Sequence, residues 1–237
     1  METLDELKKG HGAIEKRLGY SFHDKELLSL AFIHRSFINE NRDIIEGHNE
    51  RLEFLGDSVL GLIVAEYLYK YLPKTPEGEL SHLRSMLVES TSCMRYVQLL
   101  NVEGFILLGR GERMNDGRGR DSILSDLFEA IIGAIFIDGG IDAARGFFFK
   151  NFSKEINQML QKPLQNWKAL LQDFSQKQFR TPPVYSVVSE SGPDHNKTFK
   201  IIVKIKGDAV GSGEGSSKKE AQQNAARDAV EKLGVLN

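Results

Sequence analysis

Apolar positions recur at helical spacing through most of the first 160 residues, and at strand spacing only near the C-terminus. Leu27, Leu28, Leu30, Ala31 and Phe32 close one apolar cluster before the polar stretch FINENRDIIEGHN, which reads as an exposed loop with a short helix. Residues 50–71 form a long periodic segment stopped by Pro73 and Pro76. GELSHLRSMLVESTSCMRYVQLL predicts one or two further helices. GRGERMNDGRGRDS is rich in glycine and charge and reads as a loop. ILSDLFEAIIGAIFID is helical and unusually apolar, and IDAARGFFFKNFSKEINQML is the last helix of this region.

The pattern changes near residue 163. WKALLQDFSQKQ is an amphipathic helix; PPVYSVVSESG, KTFKIIVKIKG and AVGSGEG read as three strands, from their β-branched runs and turn residues. SSKKEAQQNAARDAVEKLG ends the chain with a helix, with Ser217 and Glu220 spaced as a capping box. The expected organisation is a mainly α domain over 1–160, a short linker over 161–165 and an α+β domain of α-β-β-β-α order over 166–237.

Composition narrows the class. With 41% apolar and 27% charged residues the chain reads as soluble and globular, and no apolar run approaches the roughly 20 residues a membrane helix needs. The N-terminus METLDELKKGHG lacks an apolar signal core, and the single Cys93 excludes an internal disulfide or a cysteine metal cage. A cytoplasmic location is expected. The net charge of −2 hides an asymmetry: residues 1–162 carry 20 Lys and Arg against 25 Asp and Glu, and residues 163–237 carry 11 against 8. An acidic body thus precedes a mildly basic tail.

Two acidic groups carry the chemistry. On the 50–71 helix, Glu50, Glu53 and Asp57 fall within roughly 60° of one another, while Leu52, Leu55, Val59, Leu62 and Ile63 form the expected core face. Glu53 and Asp57 stand at i, i+4, where like charges repel. Asp126 and Glu129, at i, i+3, lie in a helix that is apolar almost all round. Buried carboxylates there cost several kcal/mol or stay protonated unless a cation compensates them. If the two faces meet, five carboxylates surround one small volume. Oxygen ligands suit a hard cation such as Mg²⁺ or Mn²⁺, which can activate a water and stabilise the leaving oxygen of a phosphodiester. Ordinary exposed acids, or a salt-bridge cluster with Arg51, Arg84 or Arg120, remain alternatives at this point. Phe54 lies near the acid side of its helix; it is either an interface residue or a partly covered surface aromatic.

In the tail, Lys218 and Lys219 open the last helix just after GSGEGSS, a position that favours an anion such as an RNA phosphate. Gln172 and Gln176, at i, i+4, can reach sugar hydroxyls and base edges in a shallow groove, and His195 sits in the GPDHNK turn. A helix face, a loop and a helix N-terminus would together touch an RNA duplex. Neither a Walker loop nor a dinucleotide fingerprint is present.

HNERLEFLGDS, His48 to Ser58, resembles the signature of the bacterial ribonuclease III family. ILSDLFEAIIGAIFID resembles that family's second acidic motif and EGELSHLR a third stretch, and residues 163–236 resemble a double-stranded-RNA-binding domain. The resemblance implies a helical endonuclease domain acting as a homodimer. It also implies Mg²⁺-dependent hydrolysis of both strands of duplex RNA, with Mn²⁺ substituting, leaving 5′-phosphates and short 3′ overhangs. Processing of ribosomal and other structured precursor RNAs goes with it. Carried onto matching positions, Glu53, Asp126 and Glu129 would ligate metal, and Asp57 and Glu129 would be closest to catalysis. Glu50 would assist from nearby, and Glu77 matches a further acidic position. Phe54 would enter a socket on a partner subunit. Gln172 and Gln176 match minor-groove contacts, His195 lies in the matching loop, and Lys218 and Lys219 match phosphate contacts. Ser125 departs from the pattern, where a small apolar residue is expected. No membrane and no small-molecule cofactor are expected. Two rival readings are a non-catalytic duplex-RNA scaffold and a phosphohydrolase of small substrates.

Overall fold

Capping and packing explain why the helices start and stop where they do. The computed structural model describes residues 3–41, 47–114, 119–161, 167–192 and 197–235. It divides into two compact units, Met1–Lys162 and Pro163–Asn237. In the first, α1 (Leu4–Leu18) starts where the Thr3 side chain accepts from the Glu6 amide and stops at Gly19 in the left-handed region (φ 67°). The short helices α2 (Lys25–Ala31) and α3 (Arg35–Glu40) follow, then the long α4 (Glu50–Tyr71). GELSHLRSMLVESTSCMRYVQLL makes two helices, α5 (Glu77–Val88) and α6 (Ser90–Leu100), separated by extended backbone at Glu89. Residues read as loop contain α7 (Arg110–Met114): the Glu40 carboxylate accepts from the Arg110 amide at 2.9 and 3.1 Å and caps it.

The last helical stretch, α8 (Arg120–Gln161), is two helices broken at Gly140, whose φ of 77° and ψ of −176° no helix contains. Just before the break, the buried Asp138 accepts from Tyr20 Oη (2.6 Å), the Asp24 amide (2.8 Å) and the His23 amide (3.0 Å). Burial alone would raise its carboxyl, but these donors outweigh it and hold the pKa at about 2. The core lies between α4, α6 and α8, where Tyr96, Phe128, Phe148 and Phe152 form a fully buried aromatic cluster. Tyr96 places its hydroxyl on the Leu87 carbonyl.

The buried face of α4 differs from the expected one. Leu52, Val59 and Ile63 are buried with Leu60, Val64 and Leu68, but Leu55 is only half-buried and Leu62 is 59% exposed. Glycine accounts for the rotation: Gly56 is buried at the closest approach to α8, which turns Leu62 outward.

In the second unit, α9 (Trp167–Phe179) is followed by an antiparallel sheet in the order β1 (Val184–Ser191), β2 (Thr198–Ile205), β3 (Asp208–Gly215), and α10 (Lys218–Lys232) closes it. Gly211, Gly213 and Gly215 alternate along β3 on the side facing α10, where a Cβ would overlap the α10 backbone. Ala221, Ala225, Ala226 and Ala229 present the matching flat surface and share a core with Leu171, Ile201 and Val203. Ser217 caps α10, accepting from the Glu220 amide. The Glu220 carboxylate also accepts from the amide and hydroxyl of Ser216, at 2.8 and 2.7 Å, and these donors with the Ser217 amide hold its pKa down.

Candidate metal centre and RNA interface

The acidic site exists because α4 and α8 cross without side chains between them. A Cβ on Gly56 would overlap the Glu129 carbonyl oxygen, and one on Gly133 would overlap that of Leu52. Each glycine lies inside a helix, where it costs about 1 kcal/mol relative to alanine. That cost is offset by a backbone-to-backbone approach which brings the acids of the two helices together.

One carboxylate oxygen from each of Glu53, Asp126 and Glu129 lies within 4.8 Å of the others, and all three residues are half-buried. All three carboxyls are pushed up. Burial is the largest cause for Glu53, followed by the charges of Asp126, Glu50 and Asp57. Asp126 is raised by burial and then by Glu50. Glu129 is raised to about 8, by burial and then by Asp57, Asp126 and Glu53. The neighbouring charges acting on the group are all carboxylates. Among the described residues, Arg51, Arg84 and Arg120 form no ion pair with it, so the salt-bridge alternative lacks its cation. The group suits a hard divalent ion: it is oxygen-only, partly desolvated and short of positive charge.

The other two acids flank this group. Asp57 is exposed, one turn beyond Glu53, and its charge acts on Glu53 and Glu129. Glu50, the first residue of α4, is held by Arg35 Nη1 at 3.1 Å and approached by His48 Nδ1 at 3.7 Å. Glu77 opens α5, exposed, and accepts from the Ser81 hydroxyl at 2.7 Å; it is outside the three-carboxylate group. Ser125 is buried, and so is Cys93, whose thiol donates to the Val88 carbonyl and is pushed up by burial.

Comparison with known proteins decides the family. The Ribonuclease-III-like family matches residues 24–156, and the double-stranded RNA binding motif matches residues 167–233. Ribonuclease 3 of Protochlamydia amoebophila is 60% identical over 98% of this chain and 96% of its own length. The chain belongs to the ribonuclease III family. Ribonuclease 3 of Treponema denticola is 44% identical over 92% of this chain and 89% of its own. A solved ribonuclease III nuclease domain from Campylobacter jejuni, described as flexible in the region involved in dimer formation, superposes with a TM-score of 0.53. It is 44% identical and covers 59% of this chain and 96% of that one. The fold agrees with the expected one, a helical ribonuclease III nuclease unit followed by the α-β-β-β-α unit of an RNA-binding motif.

In the RNA-binding motif, Gln172 and Gln176 are exposed on α9, Lys218 and Lys219 are exposed at the start of α10, and His195 lies outside the described residues. Lys218 is paired with Glu190 at 2.8 Å and stands over the Phe199 ring. In the nuclease unit Phe54 is 79% exposed. Sequence reasoning missed four residues that shape the site. Gly56 and Gly133 could have been found from their cost inside apolar helices. For Arg35 and His48, as partners of Glu50, nothing in the local pattern points to the contact. No described helix is long and apolar enough to cross a membrane.

Proposed function

We propose that the protein is an Mg²⁺-dependent endoribonuclease that hydrolyses both strands of duplex RNA, leaving 5′-phosphates and short 3′ overhangs. Its substrates include ribosomal and other structured precursors, in the cytoplasm. The observation that carries the reading is the convergence of Glu53, Asp126 and Glu129 on one volume, in the same chain as a double-stranded RNA binding motif.

Glu53, Asp126 and Glu129 would hold the ion. Mg²⁺, or Mn²⁺ in its place, supplies the missing positive charge and Lewis acidity toward phosphate oxygens. Asp57 Oδ, exposed beside Glu129, accepts a proton from the attacking water as its oxygen bonds phosphorus. The P–O3′ bond breaks in line and the leaving 3′-oxygen takes a proton from solvent water, giving a 3′-hydroxyl on one product and a 5′-phosphate on the other. Glu50 assists from the edge of the site, and Glu77 is assigned no step.

Residues 1–160 form the nuclease domain and 166–237 the RNA-binding domain in this reading, with the linker between them. Gln172 and Gln176 meet the minor groove, His195 belongs to the loop that touches the duplex, and Lys218 and Lys219 clamp phosphates. Two copies associate through α4. Phe54, Leu62 and Tyr69 are 79%, 59% and 74% exposed, and their spacing puts them on one stripe of that helix. One acidic centre per copy then serves each strand.

Incubation of the full chain with a long RNA duplex, with and without Mg²⁺, tests the proposal. Cleavage only with the ion supports it; duplex bound but intact at excess Mg²⁺ or Mn²⁺ would indicate a scaffold instead.

A further inference from the structure

Glu50 differs from the other acids because it has a cationic partner, Arg35. Arg35 Nη1 donates to Oε1 at 3.1 Å, and His48 Nδ1 stands 3.7 Å from Oε2, too far for a hydrogen bond. That nitrogen is buried and has no hydrogen-bond partner. Arg35 opens α3 and Glu50 opens α4, so the pair joins two helix starts at the rim of the acidic centre. Both side chains are well exposed, at 63% and 44%.

An ion pair so exposed contributes little, so Arg35 can change partners at small cost. RNA needs such a group here. A phosphodiester arriving at Glu53, Asp126 and Glu129 meets a surface whose local charges are carboxylates. A guanidinium matches phosphate oxygens as well as it matches a carboxylate, and it keeps its charge throughout.

We propose that Arg35 is a phosphate-binding residue of the nuclease unit: it is held by Glu50 when RNA is absent and passes to a backbone phosphate when the duplex seats. This rests on the nuclease reading above. The exchange leaves Glu50 free at the edge of the site, while Arg35 offsets the repulsion between the acidic centre and the strand to be cut.

The test measures duplex binding by the full chain across a salt series, in a Glu129→Gln background that leaves the RNA uncut. Arg35→Gln should make the slope of log affinity against log salt less negative by about one per subunit, and Arg35→Lys should largely keep it. Glu50→Gln removes the competitor for Arg35 and should tighten binding about threefold, a gain lost when Arg35→Gln is also present. Thermal melting within a few degrees of the parent confirms that Arg35→Gln folds, as expected for so exposed a side chain. An unchanged salt slope together with additive effects of Arg35→Gln and Glu50→Gln would overturn the assignment. The nuclease reading fails separately, when the unsubstituted chain with Mg²⁺ leaves duplex intact.

Discussion

Gly56 on α4 lies directly against the main-chain carbonyl of Glu129 on α8, with no room for a Cβ between them. The contact fixes how near the carboxylates of Glu53 and Glu129 come, because each stands within one turn of the crossing. Gly56→Ala must push the helices apart or strain both backbones. It should cost at least about 2 kcal/mol of stability, and calorimetry should show divalent-cation binding weakened about tenfold or more. A variant that melts and binds cations like the parent would show that the crossing does not build the site.

Glu129 makes the site sensitive to pH when no cation is bound. Its carboxyl titrates near 8 in the folded chain and near 4.5 unfolded, so between those values the folded state holds the extra proton. Stability of the cation-free protein should therefore be fullest below about pH 4.5 as far as this group is concerned, and decline as pH rises toward 8. Protons compete with the ion for the same oxygens, so cation affinity should rise over that interval. Melting curves from pH 5 to 8.5, with EDTA and with Mg²⁺, check both slopes. In Glu129→Gln the EDTA slope should flatten, and the Mg²⁺ stabilisation at pH 8 should largely disappear.

Phe54 tests the association of two copies. A phenylalanine 79% exposed beside an acidic site has no role in the packing of its own subunit. Phe54→Ala should leave the melting of the isolated subunit within a few degrees and weaken dimerisation by about 2 kcal/mol or more. Sedimentation across a concentration series gives the answer; a dimer as tight as the parent's would remove Phe54 from the interface.

Lys218 and Lys219 test the RNA-binding unit on its own terms. Lys218 already spends part of its charge on Glu190, 2.8 Å away, so its net contribution depends on exchanging that carboxylate for phosphate. Substituting both lysines by alanine should reduce the salt slope of duplex binding by about two per subunit. The loss should be similar for duplexes of different sequence, since phosphates carry no base information.

Most of the architecture was legible because local rules and packing agree. The helical period of 50–71, the stops at Pro73 and Pro76, and the β-branched runs of the second unit each matched their elements. Asp126 and Glu129 stood out because carboxylates are conspicuous in an apolar helix. What remained hidden depends on contacts across long sequence separations. Leu62 fits the apolar period of α4 and still faces outward, because Gly56 sets the rotation of that helix against α8. The helix at 110–114 depends on a cap from Glu40, and the hold on Glu50 on Arg35; neither partner is signalled locally.

In the proposed function, Glu53, Asp126 and Glu129 hold a divalent ion with which the protein cuts duplex RNA. The most direct test follows an end-labelled duplex of defined sequence, incubated with the parent chain and with Glu129→Gln across an Mg²⁺ series. The parent should cut both strands only with Mg²⁺, leaving 5′-phosphate and 3′-hydroxyl ends and a short 3′ overhang, and Glu129→Gln should bind the duplex without scission. Cleavage that persists in EDTA, or in Glu129→Gln at the parent's rate, would contradict the proposed function.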